Sequence, residues 1–209
     1  MNLKEKVVLI TGCSSGIGLS IAKKFVEREV SVIGSVRKLD DGEKVKKALG
    51  ENFHYCVFDV TKPEELAIAF REVQKKLDGR GLSALINNAG IAVAGPVEYI
   101  KTENIRRQFD VNFFGVIDVT KTFLPLLIDY ANSNSINSKI INISSISGKI
   151  VLPFLSVYAA SKHALEAISD GFRREFSMHG VSTAIVEPGI VKTSIWDKVD
   201  YSEISGLQG

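Results

Sequence analysis

Six short, β-branched apolar runs separated by stretches of helical periodicity constrain the fold of this chain more than any other feature. The runs fall at about 7–11, 31–36, 53–58, 83–87, 139–143 and 181–186, and the helical patterns near 17–28, 41–49, 63–77, 102–130 and 157–179. A strand that is apolar along its whole length must be covered on both faces, and a crossover helix returns the chain so that the next strand runs the same way. The pattern therefore predicts an α/β fold, a doubly wound parallel sheet with helices on both faces. No short repeat or linker divides the 209 residues, so one domain is expected, large enough to bury a core without disulfides. Asp78-Gly79-Arg80-Gly81 reads as a turn, and the polar cluster from Asn132 to Ser138 as a surface loop before the fifth strand.

The first run continues through glycines into a helix: Val7 to Gly18 reads VVLITGCSSGIG. Gly12, Gly16 and Gly18 let the backbone approach a pyrophosphate, and the helix N-terminus offers free N–H groups and a partial positive charge. The spacing is G-x-x-x-G-x-G, so the dinucleotide fingerprint is matched in context and not in letter, and a tight turn without a ligand fits the same residues. Cys13, inside the loop, is either a small residue filling the turn or a reactive thiol. Where an NAD site wants a carboxylate for the ribose hydroxyls, the second strand ends in Ser35-Val36-Arg37-Lys38. A guanidinium can grip a 2′-phosphate through two hydrogen bonds, so Arg37 with Lys38 favours NADP(H), with NAD(H) possible. Both cations also read as ordinary solvated charges, and Asp40 and Asp41 are the carboxylates that can reverse the preference.

Tyr158-Ala-Ala-Ser-Lys162 puts a phenol and an ammonium four residues apart, on one face of a helix, after a Ser144-Ser145 pair. A tyrosine ionises near pH ~10, and a cation held beside it is expected to lower that value and make the pair a proton donor and acceptor.

The order of these motifs resembles the short-chain dehydrogenase/reductase family, in its single-domain subfamily with a T-G-x-x-x-G-x-G loop and a Rossmann-type sheet. The resemblance covers essentially the whole chain. Thr11-Gly12-Cys13-Ser14-Ser15-Gly16-Ile17-Gly18 matches the cofactor loop, Asp59 and Val60 the segment that holds the adenine ring, and Asn87-Asn88-Ala89-Gly90 the signature after the fourth strand. That signature is implied to stabilise the central sheet and line the cofactor. Asn112, Ser145, Tyr158 and Lys162 match the catalytic tetrad, with Ser144 the weaker candidate for its serine. In Glu187-Pro188-Gly189-Ile190-Val191-Lys192-Thr193, Thr193 and the Ile190 backbone are implied to meet the nicotinamide carboxamide. Family members usually run several tens of residues past this segment, through a substrate-covering helix and a seventh strand. Here the sequence stops at Gly209, with 196–209 resembling the start of the substrate loop, so either the sequence is cut short or the last strand is absent.

The resemblance implies that Tyr158 exchanges a proton with the substrate oxygen and that Lys162 favours the phenolate and holds the nicotinamide ribose. Ser145 would stabilise the developing charge, and Asn112 would hold a water linking Lys162 to solvent. Ile150-Val151-Leu152-Pro153-Phe154-Leu155 would form an apolar wall, favouring a hydrophobic alcohol or carbonyl, as in relatives that act on steroids and retinoids. A ketoacyl-thioester reductase and a non-catalytic NADP(H)-binding sensor are the competing readings. Pairing through the helices at 102–130 and 157–179 would give a homodimer or homotetramer. A net charge of +2 points to no nucleic-acid or membrane partner, and the residues before Val7 are too few for a signal peptide or a span. Two cysteines without paired spacing suit the cytoplasm, and the scattered His54, His163 and His179 suggest no metal site.

Overall fold

The computed structural model describes residues 3–191. Six parallel strands form one sheet: β1 (Val7–Ile10), β2 (Ser31–Val36), β3 (Phe53–Val57), β4 (Ala84–Asn87), β5 (Ser138–Ile143) and β6 (Val181–Val186). Their order is β3-β2-β1-β4-β5-β6, with β1 pairing on one side with β2 and on the other with β4. The direction of winding reverses at that junction, and the crevice it opens at the carboxyl ends of the strands is where open α/β sheets bind ligands. The expected strands all form, each within one residue of its predicted bounds.

Alternation along β1 shows why the sheet needs two layers of helices. Val7 and Leu9 enter one core with Phe58, Val73, Val119, Phe123 and Leu127, while Val8 and Ile10 enter the other with Ala22, Val32, Val45 and Phe53. The first core is covered by α3 (Pro63–Leu77) and α5 (Gly115–Asn134), the second by α1 (Gly16–Val26) and α2 (Leu39–Leu49). Phe123 is fully buried between Phe58 and Phe70, its ring centroid 6.3 and 6.2 Å from theirs. Full burial of such a side chain contributes about 1.5–3 kcal/mol.

The helical pattern at 102–130 differs from expectation at two points, and that at 157–179 stops at Glu175, ahead of a 3-10 turn, Ser177–His179. The pattern at 102–130 is α4 (Thr102–Phe109) joined to α5 through a π-helical segment, Asp110–Phe114, which inserts an extra residue into the turn. At its other end α5 runs four residues further, into the polar cluster expected to be loop. The Asn134 amide donates to the Tyr130 carbonyl at 2.9 Å, and Ser135 closes the helix in the left-handed conformation, so the loop shrinks to a few residues. The rod from Thr102 to Asn134 is long and apolar enough by composition to cross a bilayer, but Val116, Val119, Phe123, Leu126 and Leu127 are buried against α3 and the sheet, as in a core helix. The last long helix, α6 (Ser156–Glu175), packs on β6 and on a short 3-10 turn, Ile146–Gly148, that follows β5.

Candidate active site

A groove of about 570 Å³ runs along the carboxyl ends of the strands. At one end the β1–α1 loop supplies Gly12, Ser14, Ser15, Gly16 and Ile17. Gly12 and Gly16 take positive φ values of 71° and 59°, conformations that glycine adopts without a side-chain penalty. Gly18 lies beneath the groove. A Cβ there would stand 2.3 Å from the Gly12 carbonyl oxygen and 2.4 Å from the Asn88 amide nitrogen, closer than real contacts permit. Ser15 caps α1 without a side-chain hydrogen bond to the first turn, so the N–H groups of that turn are offered to the groove. Fixed glycines and a helix N-terminus together suit a pyrophosphate.

Neighbouring strands lock this loop. The N–H of Gly12 donates to Ser35 Oγ at 3.0 Å, and that of Cys13 to the Ser35 carbonyl at 2.8 Å. Thr11 Oγ1 accepts from the N–H groups of Asn88 (2.9 Å) and Ala89 (3.0 Å), while the Asn88 amide returns bonds to the carbonyls of Thr11 (2.8 Å) and Gly12 (3.1 Å). Thr11, the threonine of the recognised pattern, and Ser35, which lies outside it, thus hold the loop. Below them Asn87 donates to Asn142 Oδ1 and Thr120 Oγ1, and Asn142 donates to Ser169, a buried polar ladder across β4, β5 and α6. Cys13 is fully buried, its thiol donating to the Ile10 carbonyl, and burial pushes the thiol up to about 12. Burial favours the reading in which Cys13 fills the turn over that of a reactive thiol.

Beyond the loop the groove is lined by Arg37, Asp59, Val60, Asn88, Ala89 and Gly90. Arg37 is exposed at the end of β2. Lys38 is set instead at the N-cap of α2, outside the lining, and Asp40 and Asp41 occupy that helix's first turn, where carboxylates suit the dipole. Asp59 Oδ1 accepts from both the N–H and the hydroxyl of Thr61. Pro188 and Gly189 close the far side, whereas Ile190 is 93% exposed and outside the lining. Thr193, and the segment from Trp196 expected to begin a substrate loop, lie outside the described residues.

At the end of β5, Ser145, Tyr158 and Lys162 converge, all three buried and all lining the groove. The Tyr158 hydroxyl is hydrogen-bonded to the Ser145 side chain, whose oxygen also accepts the Ser147 N–H at 3.1 Å. Lys162 Nζ sits 5.8 Å from the centre of the Tyr158 ring and donates to the Ile143 carbonyl at 2.9 Å. The expected lowering of the phenol by the ammonium is not what this arrangement gives. Burial pushes the Tyr158 phenol above its ordinary value, opposed by the bond to Ser145, and burial brings Lys162 down to about 8, opposed by the Glu166 carboxylate.

Asn112 is buried in the π-helical segment and does not reach the groove. Its Oδ1 accepts the Ile91 N–H at 2.9 Å, and its amide donates to the Ile91 carbonyl (2.9 Å) and to Ser161 Oγ (3.1 Å). The side chain is committed to holding the segment after β4 against α6. Gln108, one turn earlier and also fully buried, accepts from the Val93 N–H and donates to Ser161. Its spacing from Asn112 on one helical face was the available signal for it.

On comparison with known proteins, a family model described as short chain dehydrogenase matches residues 6–203. The NADPH-dependent 3-dehydrocapnine reductase of Ornithobacterium rhinotracheale is 39% identical over 95% of this chain, which spans 74% of that protein. The 17-beta-hydroxysteroid dehydrogenase type 6 of Bos taurus is 38% identical over 97% of the chain, which spans 62% of that protein's length. Among solved structures, the 3-ketoacyl-(acyl-carrier-protein) reductase of Brucella melitensis complexed with NADH superposes with a TM-score of 0.88 at 24% identity, covering 95% of this chain and 81% of that one.

Proposed function

The chain belongs to the short-chain dehydrogenase family, and from that membership we propose an NADP(H)-dependent oxidoreductase that interconverts a hydrophobic secondary alcohol and a ketone, or an aldehyde and an alcohol. The observation that carries the proposal is the convergence of Tyr158, Ser145 and Lys162 at one end of a groove whose other end is a glycine loop.

When bound, the nicotinamide supplies hydride chemistry. The chain's own residues do the rest. The loop from Gly12 to Gly18 would hold the pyrophosphate, Asp59 and Val60 the adenine end, and Asn88, Ala89, Gly90, Pro188 and Gly189 the nicotinamide half. Tyr158 donates its proton to the substrate oxygen as negative charge develops there, and Ser145 donates a hydrogen bond to the same oxygen. Lys162 holds the ribose hydroxyls and offsets the phenolate left behind. Asn112 fixes the segment against which the ring must lie. Burial keeps the phenol protonated near neutral pH, the form needed to reduce a carbonyl.

A hydrophobic substrate is supported by the segment that joins Ser145 to Tyr158: Ile150, Val151, Leu152 and Phe154 are exposed there, outside the groove's lining, and the Phe154 carbonyl accepts the Gly95 N–H at 2.7 Å, joining that segment to the loop after β4. NADPH consumption, followed optically against hydrophobic ketones and aldehydes with β-ketoacyl thioesters alongside, tests the reading. Reduction of the ketones is expected. Reduction of the thioesters alone would favour the acyl-carrier alternative, and NADPH binding without consumption a sensor. Cytoplasmic location and a homodimer or homotetramer through α4, α5 and α6 belong to the same reading.

The cofactor preference rests on Arg37. Arg37→Ala should weaken NADPH binding by roughly 10–100-fold, the worth of a charge-assisted hydrogen bond or two, and leave NADH nearly unaffected. Equal losses in a fluorescence titration would remove the 2′-phosphate from this side chain.

A further inference from the structure

We propose that Glu166 is a positioning residue for Lys162: from the next turn of α6 its sheltered carboxylate holds the lysine as a cation at the base of the groove, and Lys149 ties that carboxylate to the groove's far wall. The two residues are four apart in α6 and share a face. The Glu166 side chain is only 13% exposed. Its Oε2 pairs with Lys149 Nζ at 2.8 Å, and the same ammonium reaches Glu187 Oε1 at 3.5 Å, immediately before Pro188 of the lining. Among the described residues its Oε1 is buried without a hydrogen-bond partner, and so is Ser144 Oγ. Both face the alpha carbon of Gly148, since a Cβ there would stand 2.9 Å from each. A side chain at 148 would push the carboxylate aside.

A buried carboxylate with an unused oxygen is costly unless a charge nearby repays its desolvation. Lys149 does so in part. That cation is half-exposed, however, and shared with Glu187, whereas Lys162 is buried and donates to the Ile143 carbonyl. Burial alone drives Lys162 towards the neutral form, and the Glu166 charge opposes it. The other charged and titratable groups about the pair are Lys149 from the turn after β5, Glu187 from the segment after β6, Tyr158 from the preceding turn of α6, and Asp110 of the π-helical segment packed on α6. A purely structural brace between the 3-10 turn and α6 would need the ion pair to Lys149, but would leave the protonation of Lys162 indifferent to the charge on residue 166.

The sign of one titration separates these roles. In the full chain carrying lysine labelled with 13C at the ε carbon, the Lys162 signal is assigned by its loss in Lys162→Met and followed against pH. Glu166→Gln should lower its midpoint from about 8 by about one unit or more, while Glu166→Asp retains most of the original value. An unchanged midpoint overturns the proposal. So does a rise towards the ordinary lysine value, because loosened packing hydrates Lys162 and moves it that way. If Glu166→Gln fails to fold, Gly148→Ala decides: its Cβ would stand 2.9 Å from Glu166 Oε1 and displace the carboxylate, so the midpoint should fall, and an unchanged midpoint overturns the proposal. The inference rests on the reductase reading only for its consequence in turnover, a loss of about fivefold at pH 8 in Glu166→Gln, which follows when a midpoint falls from about 8 by one unit. Absence of turnover in every form with the shift intact would count against the reductase reading alone.

Discussion

Tyr158→Phe should bind NADPH as tightly as the unchanged chain and turn over roughly 10²–10⁴ times more slowly, the usual contribution of a positioned proton donor. The substitution isolates one proton. The ring stays buried beside Ala92, and the Lys162 ammonium keeps its place 5.8 Å from the ring centre and its bond to the Ile143 carbonyl. Ser145 loses one partner but still accepts the Ser147 N–H, so no buried acceptor is stranded, and the melting temperature should move by only a few degrees. Single-turnover NADPH oxidation at saturating ketone reads the effect directly. A variant that keeps full activity would remove Tyr158 from the proton transfer, however well its position suits the task. Because burial raises the phenol, activity in the reducing direction should persist across neutral pH without a fall caused by Tyr158 ionisation.

Strand content and order of motifs were legible because they depend on local chemistry. A run such as Val7-Val8-Leu9-Ile10 can satisfy neither face except in a covered sheet, and the glycines after it announce a close backbone approach. What escaped was set by packing across the chain. The π-helical segment at Asp110–Phe114 leaves the apolar periodicity of 102–130 nearly intact, so nothing local distinguishes it from ordinary helix, yet it turns Asn112 onto the Ile91 backbone. The polar run after Ala131 looks like loop until the Asn134 amide is seen bonding its own helix. Tyr158 and Lys162 do share a helix face, but their spacing carries no measure of burial, and burial outweighs the hydrogen bond to Ser145 in setting the phenol. Lys38 and Arg37 are adjacent in sequence and are separated only by where α2 begins.

Gly18→Ala should disable the cofactor site from below, although residue 18 does not line the groove. One methyl group is added, and both of its nearest contacts are parts of the loop's anchorage: the Gly12 carbonyl oxygen at 2.3 Å and the Asn88 amide nitrogen at 2.4 Å. Neither can retreat freely. Gly12 is held at a φ of 71° with its N–H on Ser35, and the Asn88 amide spans the carbonyls of Thr11 and Gly12. Overpacking of this kind costs about 1–3 kcal/mol, and each buried hydrogen bond broken to relieve it about 1–3 kcal/mol more. A fall in melting temperature of roughly 10 °C is therefore expected for a chain of this size. Moving the loop also displaces N–H groups from the pyrophosphate position, so NADPH affinity should drop by roughly 100-fold, the worth of one or two bonds to a charged group. Gly171→Ala supplies the contrast, because its Cβ would meet nothing closer than 3.7 Å and α6 should gain up to about 1 kcal/mol in helix propensity. If the two variants melt and bind alike, the loop tolerates the methyl and the close packing of α1 against it is not what shapes the site. If only Gly18→Ala loses NADPH, the glycine beneath the groove acts on the cofactor through Gly12 and Asn88.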